Sequence, residues 1–570
     1  MINKVKRIIL QINIIDLVVL LAFALYSLLF FLGRWQGQKP FVSLDSDAAN
    51  IASFAAATYN PERFVGDAIL STQSNFQWYM TIHIPLLRVL RHFVGDYGTA
   101  FIYMLGFHVF FQLAGFYLFG VLLFKNRFWA FLLSVMTMAT LWTPALGDYW
   151  GNFMDPQPRF TFQALLPYLL SGVLAWRSNI TRWPILMVGA GLLMYVHPVS
   201  APAWAFAIWL GLWLLLPSGW PLKKRFGFMI LMGLIFLLTV LPFMATYLSL
   251  RDIGKVANYE QVYNLMITSY KNYMDIVGTF ILYIKTFKVY LGVATLGMII
   301  VAVLDRKNSQ ALKLTLVWLS GILLVSVVFP ALEHQIARAT HRIPAEIDLV
   351  RGVRFIAPFM ILYWLWATLT LLPYAPRIPY LRLFFTELGS SAFYAVVSAL
   401  AVIYLYRGPM QTLLPLPQQA LGCWSNREWT CVVHEDRREH QDLVRVLDKI
   451  RETPERTLIL PFLHSNESLA VRYYAFQPVV FSGKDGGVLS YSDVTKFLER
   501  NDLLQEVLPK ITDAPSDALK FQELLDFANK LGAERLVIAS ADYTLPPRDF
   551  IPNEMIVYRN KTYILINIHP

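Results

Sequence analysis

KKRFGFMILMGLIFLLTVLPFMATYL (residues 223–248) opens with three cations and then runs to Leu248 without another charge. A bilayer's hydrocarbon core is crossed by a helix of about 20 apolar residues. The stretch therefore reads as a membrane crossing whose basic start faces the cytoplasm. Working outward, comparable runs lie at 8–33, 99–124, 128–145, 160–176, 183–198, 203–217, 289–304, 314–332, 355–373 and 390–406, which gives eleven expected crossings. Pro198 and Pro202 separate the fifth from the sixth. The composition agrees: 56% of the residues are hydrophobic and 15% charged, with mean hydropathy +0.47. A soluble protein carries roughly 25% charged residues. This excludes a disordered chain and a string of soluble modules, and two cysteines exclude a disulfide-rich scaffold.

Charge sets the expected topology. Lys4, Lys6 and Arg7 favour a cytoplasmic N-terminus. Every second connection is then basic: Lys125 and Arg127; Arg177 and Arg182; Lys223, Lys224 and Arg225; Arg306, Lys307 and Lys313; Arg377 and Arg382. Asp305 and Glu387 are the acids among them. An odd number of crossings puts the C-terminus outside, and the first run reads as a retained signal anchor. The net charge of +11 divides into +14 for residues 1–406 and −3 for 407–570, so the basic excess belongs to the membrane part and no nucleic-acid partner is expected. The expected fold is an α-helical polytopic membrane protein of about eleven crossings (1–406), N-in and C-out, in the plasma or inner membrane. Its long outer loops are 34–98, 249–288 and 333–354. Residues 407–570 read as an extracytoplasmic α/β domain. Its helix is expected at 440–452, its strands at 457–462, 478–483 and 535–540, and a hairpin at 555–568. In the first outer loop Trp78, Ile82, Leu86 and Leu90 fall at helical spacing, which suits an amphipathic helix lying on the membrane or packed against the tail.

Polar chemistry is expected at the outer surface. Of 16 acids in residues 1–406, 13 lie in outer loops, and no apolar run has a charge near its middle. Intramembrane ionisable groups mark ion and proton pathways, so their absence speaks against a transporter. At the head of the first loop stands Asp45-Ser46-Asp47. Two carboxylates so spaced can share Mg²⁺ or Mn²⁺, or one can act as general base while the other holds its geometry. Alternatively they cap the apolar helix that follows. Asp148 and Asp155 in the next outer loop are further metal candidates, or turn residues. Arg159 opens the fourth run, where it can pair with Asp155 or reach a phosphate, and His197 stands at the outer end of the fifth. The third loop carries His334, Arg338, His341, Arg342, Arg351 and Arg354. Outer cations run against the positive-inside tendency, and arginine binds phosphate bidentately. The alternative is a solvated helix with internal ion pairs. The bilayer's interfacial belts and packing account for most of the aromatics; Trp78, Tyr79, Tyr149 and Trp150 lie in outer loops, where stacking on sugar faces is the alternative to packing. SGKDGG (482–487) lacks the phosphate-loop spacing and reads as a turn. Cys423 and Cys431, with seven residues between them in the expected outer tail, are predicted to form a disulfide.

This layout resembles the GT-C superfamily of integral membrane glycosyltransferases, which have many crossings, a long first outer loop with an acidic motif near its start, and often a C-terminal outer domain. The resemblance implies sugar transfer from a polyprenyl-phosphate-linked donor to a glycan, lipid or protein acceptor at the outer face. It maps the acidic motif onto Asp45, as base, and Asp47, as metal ligand or orienting partner. Two other functions fit the same layout. One is a polymerase or ligase of lipid-linked oligosaccharide, working through outer Arg and His without metal. The other is a non-enzymatic transporter or envelope assembly protein.

Overall fold

The computed structural model describes residues 14–138, 141–143, 147–151, 154–250, 258–345, 348–377, 415–425, 434–461, 466–543 and 550–569. The chain is mostly helical. Helix α1 (Ile14–Trp35) leads to α2 (Ser46–Tyr59) and α3 (His83–Val94) in the first loop. Gly95, in the left-handed region, then turns the chain into α4 (Tyr97–Phe124), which Asp96 caps by accepting from the Thr99 N–H. Helix α5 (Arg127–Met136) is short. The run expected to continue to 145 instead enters an antiparallel hairpin, β1 (Leu141–Thr143) and β2 (Gly147–Trp150). Thr137, Thr140, Thr143 and Pro144 are poor helix residues and explain the early stop.

Helices α6 (Pro158–Ala175), α7 (Trp183–Leu192), α8 (Ala201–Leu214) and α9 (Leu222–Leu250) follow. The second outer loop holds α10 (Tyr259–Ser269) and α11 (Ile276–Thr286), and α11 meets α12 (Lys288–Leu304) at a bend of 78°. Helix α13 (Ser309–Leu323) passes through a π turn into α14 (Phe329–Ala339), so part of the expected third loop is helix. A 3-10 stretch, Asp348–Phe355, feeds α15 (Ile356–Leu371).

Five helical stretches among the described residues are long and apolar enough to cross a bilayer: Ile14–Trp35, Tyr97–Phe124, Leu222–Leu250, Arg306–Ala339 and Asp348–Tyr374. The bent pair α11–α12 makes six if counted as one. These match the runs at 8–33, 99–124, 226–248, 314–332 and 355–373, with 289–304 as half of the bent pair. The remaining expected crossings fall on shorter or more polar helices, α5 to α8, and 390–406 lies outside the described residues.

The tail contains α16 (Pro415–Ser425), α17 (His434–Arg451), β3 (Ile459–Leu460), α18 (Asp485–Ser492), α19 (Val494–Thr512), α20 (Asp517–Lys530), β4 (Arg535–Ala539), β5 (Ile556–Arg559) and β6 (Tyr563–Asn567). The sheet order is β3-β4-β6-β5, with β3 parallel to β4 and the other pairs antiparallel. The expected strand at 478–483 contributes a single bridge, Val479 to Ile459. The expected turn at 482–487 continues into α18. Cys423 lies in α16 but its side chain, like Cys431, is outside the described part, as is the predicted disulfide.

The tail is not a free-standing module. Phe41, Ala48 and Ala52 of the first loop share one core with Leu443, Val446 and Val479 of the tail. Gly98 lets α4 press against the Phe41 carbonyl, where a Cβ would overlap. An ionic staple adds to this core. The buried Arg472 guanidinium donates twice to Asp67 (2.8 and 2.9 Å) and once to Asp485 (2.7 Å), and Asp485 also accepts from Arg500 (2.9 Å). The N–H groups of Ile69, Leu70 and Val479 complete the shell of Asp67.

Candidate functional site

The three long loops and the tail converge on one cavity of about 300 Å³. Helix α2 contributes Asp47 and Phe54, and the segment before α3 contributes Trp78 and Tyr79. His197 comes from the turn between α7 and α8, and Asp348 and Arg351 from the 3-10 stretch ahead of α15. Helix α18 of the tail closes one side with Gly487 and Tyr491. Trp78 is the hinge of this wall: it stacks on Tyr491 (ring centroids 5.1 Å) and meets Tyr79 edge-on (5.7 Å). It precedes α3, which begins at His83, so the helix expected from Trp78 onward starts one turn later.

The electrostatics are lopsided. Arg351 meets Asp348 at 3.4 Å, its guanidinium carbon lies 5.4 Å from the Tyr273 ring centroid, and its Nε has no hydrogen-bond partner among the described residues. Arg354, 2% exposed, donates from Nε to the Arg351 carbonyl (2.8 Å), while its buried Nη1 lacks a partner among the described residues. His197 feels both guanidinium groups and that of Arg159. Burial, with those charges, holds its pKa well below the usual 6.5, so the ring is neutral at physiological pH. Its Nδ1 accepts the Ser200 N–H (3.2 Å), which puts the neutral ring's proton on Nε2. His197 is therefore a hydrogen-bond donor, not a base. Burial and the neighbouring Asp47 likewise raise the Tyr79 hydroxyl, keeping it protonated. A cavity with fixed donors, the incompletely paired Arg351 guanidinium and two carboxylates, Asp47 and Asp348, is built to hold an anion next to a group that can take a proton; Arg354 lies outside its lining.

The remaining sequence candidates are distributed around this centre. Asp45 is the N-cap residue of α2 but its side chain makes no capping hydrogen bond, and it does not line the cavity. Its N–H donates to Asp155. Asp155 is buried and its ion-pair partner is Arg34 at 2.8 Å, where the sequence suggested Arg159. Both Asp155 oxygens are thus engaged in tying α1 and the start of α2 to the segment ahead of α6. Asp148 is in β2 opposite Trp142, and its side chain is outside the described part. Arg159 lies over the Phe160 ring at 4.8 Å. Arg338 and Arg342 are set apart from Arg351 and Arg354: Arg338 lies over Tyr263 (5.6 Å), and Arg342 donates to Thr340 (3.0 Å). His341 meets Tyr259 edge-on at 5.0 Å, and His334 is half-buried in α14. Among the described residues no three of His, Cys, Asp and Glu gather as a metal set. A divalent cation at Asp47 would take most of its oxygen ligands from a phosphate and water, as Mg²⁺ commonly does.

A scan against protein-family models gives no match, and no curated protein is similar to the chain. The site rests on its own geometry.

Several residues were not singled out in the sequence. His83 and His108, both buried, flank Thr161, their Nε2 atoms 2.8 and 3.2 Å from its hydroxyl. His83 continues to Thr81 (3.1 Å), which donates to the Val196 carbonyl (3.1 Å) immediately before His197. This chain joins α3, α4 and α6 behind the cavity and fixes the His197 turn. Burial lowers the His83 pKa to about 4. Arg472 carried a readable signal: a lone cation in the apolar stretch LAVRYYAF must be paired if buried. Its partner Asp67, 405 residues away, carried none.

Proposed function

We propose that the chain is a membrane glycosyltransferase that moves a sugar from a polyprenyl-phosphate donor to an acceptor hydroxyl at the outer face. The supporting observation is the cavity in which Asp47 shares a wall with Arg351 and His197, assembled from the loops and tail expected outside. In this reading Arg351 binds the donor phosphate, Arg354 positions Arg351 through its carbonyl, and His197 Nε2–H donates to the phosphate. Asp47, rather than Asp45, takes the acceptor's proton as its oxygen attacks the anomeric carbon. The bond from that carbon to the phosphate oxygen breaks, its electron pair leaves with the phosphate, and configuration inverts. A divalent cation held by Asp47 would supply further charge neutralisation to the leaving phosphate. The surrounding Trp78, Tyr79, Tyr273 and Tyr491 suit a sugar's apolar faces. The reading includes eleven crossings, a cytoplasmic N-terminus and an outer tail in the plasma or inner membrane.

Incubating purified protein with radiolabelled polyprenyl-phosphate sugars and membrane extract should transfer label to an acceptor, and Asp47→Asn should abolish the transfer. Absence of transfer from every donor refutes the reading. The gathering of Arg351 and His197, with no multi-ligand metal set among the described residues, favours a second reading, a metal-independent polymerase or ligase of lipid-linked oligosaccharide. Undiminished transfer after chelation, with oligosaccharide rather than monosaccharide moved, selects it.

A further inference from the structure

Helix α3 is apolar on two sides. Its inner side, with His83, Leu87 and half-buried Leu90 and Val94, packs into the core shared by the first loop and tail. Ile82, just ahead of the helix, and Leu86, Val89 and Phe93 form a second stripe, at intervals of four, three and four residues. All four are exposed, Phe93 by 77%. No described part of the chain covers them. Only Gly95 and Asp96 separate α3 from α4, a helix of membrane-spanning length, so the stripe stands at the membrane's edge.

One flank of the stripe is cationic. Arg88, Arg91 and His92 share an open basin of about 830 Å³ with Tyr59, Asn60 and Tyr97. The Arg88 guanidinium lies over the Tyr59 ring (4.2 Å), and that of Arg91 over Tyr97 (4.8 Å) and Phe476 of the tail (4.5 Å). None of the three pairs with a carboxylate among the described residues. Aromatic rings thus hold the two guanidinium groups in place without neutralising them. The combination of an apolar stripe and an adjacent, unneutralised cationic basin matches an anionic glycerolipid, whose chains and phosphate are joined in one molecule.

We infer that α3 and its basin form a binding site for the phosphate headgroup of an anionic membrane lipid, with Ile82, Leu86, Val89 and Phe93 set among its acyl chains. Arg88 and His92 contact the phosphate from the helix, and Tyr59 and Tyr97 wall the headgroup. The site is separate from the cavity at Asp47 and does not depend on the proposed transfer chemistry.

The test uses the full-length protein in neutral detergent, titrated with short-chain phosphatidylglycerol and followed by native mass spectrometry. Phosphatidylcholine and inorganic phosphate are run in parallel. Saturable binding of phosphatidylglycerol is expected, with phosphatidylcholine bound much more weakly. Removing the guanidinium charge in Arg88→Gln/His92→Gln should weaken binding by about fivefold, and Phe93→Ser should weaken it without altering the charge. These positions are exposed; should the double variant unfold, the single Arg88→Gln exchange gives the same reading. Equal binding of the two lipids, or charge variants that bind like the parent, overturns the site. Displacement of the lipid by inorganic phosphate, with Phe93→Ser unchanged, also overturns it, assigning the basin to free phosphate.

Discussion

Two groups of arginines stand near helix α18, one at its first residue, Asp485, and one at the cavity that the helix helps close, and they are partnered in opposite ways. At the staple, Arg472 uses Nε and both terminal nitrogens on two carboxylates that are themselves saturated by backbone N–H groups and Arg500. At the cavity, Arg351 meets one carboxylate, Asp348, at 3.4 Å, and Arg354 behind it donates to the Arg351 carbonyl, with a nitrogen of each left over. Burying a charge is tolerable when its hydrogen bonds are completed, and costly otherwise. The staple meets that condition within the protein and reads as architecture. The cavity does not, and a bound anion would complete it. Burial of a charge therefore does not by itself mark function; the state of its partners does.

The comparison breaks most visibly at the staple. Arg472→Met should leave Asp67 buried without its cation and Asp485 with Arg500 alone, destabilising the protein by roughly 3–5 kcal/mol. Thermal unfolding and limited proteolysis should show the tail detaching from the first loop. An unchanged melting temperature would reduce the staple to a spectator.

At the cavity the expected loss is in rate. Asp47→Asn should fold like the parent and lose transfer activity by about 10²–10⁴-fold, the usual contribution of a general base. Asp45→Asn should lose much less, because Asp45 is off the cavity wall. Equal losses in both would return the base to Asp45 or divide the role.

Smaller effects are expected from Arg351→Lys and Arg354→Lys, which keep the charge but lose the planar fork. Each should weaken donor binding by about tenfold with little change in stability. Arg338→Lys and Arg342→Lys, outside the cavity, should bind donor normally. A reversed pattern would relocate the phosphate site to α14.

A separate effect is on pH. His197 and His83 are held neutral by burial in the folded chain, His83 to about pH 4, and regain a pKa near 6.5 on unfolding. Between those limits the unfolded chain binds protons that the folded chain refuses, so stability is complete above about pH 6.5 and falls as pH drops. Each histidine contributes a slope of at most about 1.4 kcal/mol per pH unit. Melting temperatures from about pH 7.5 down to about 4.5 should decline, and less steeply in His197→Gln; parallel curves would refute the assignment.

Some of this molecule follows from local sequence. Apolar length alone placed Leu222–Leu250 and Tyr97–Phe124 as helices of spanning length, because a bilayer selects on length and hydropathy. Leu443, Val446, Leu447 and Ile450 were readable as a buried face of α17, and 555–568 as a hairpin, because periodicity is a local property. The candidate set at Asp47, His197 and Arg351 was readable by residue type and by its place in outer segments, but not as a set. Tertiary structure alone decided that Asp47 lines the cavity while Asp45 does not, that Arg351 and Arg354 part company with Arg338 and Arg342, and that Asp155 belongs to Arg34. It alone joined Asp67 to Arg472 across 405 residues and brought the tail to the cavity. The reason is physical. Helix length and amphipathicity are fixed by neighbours a few residues away, whereas the pairing of a buried charge is chosen by whichever group the packed chain brings within about 3 Å.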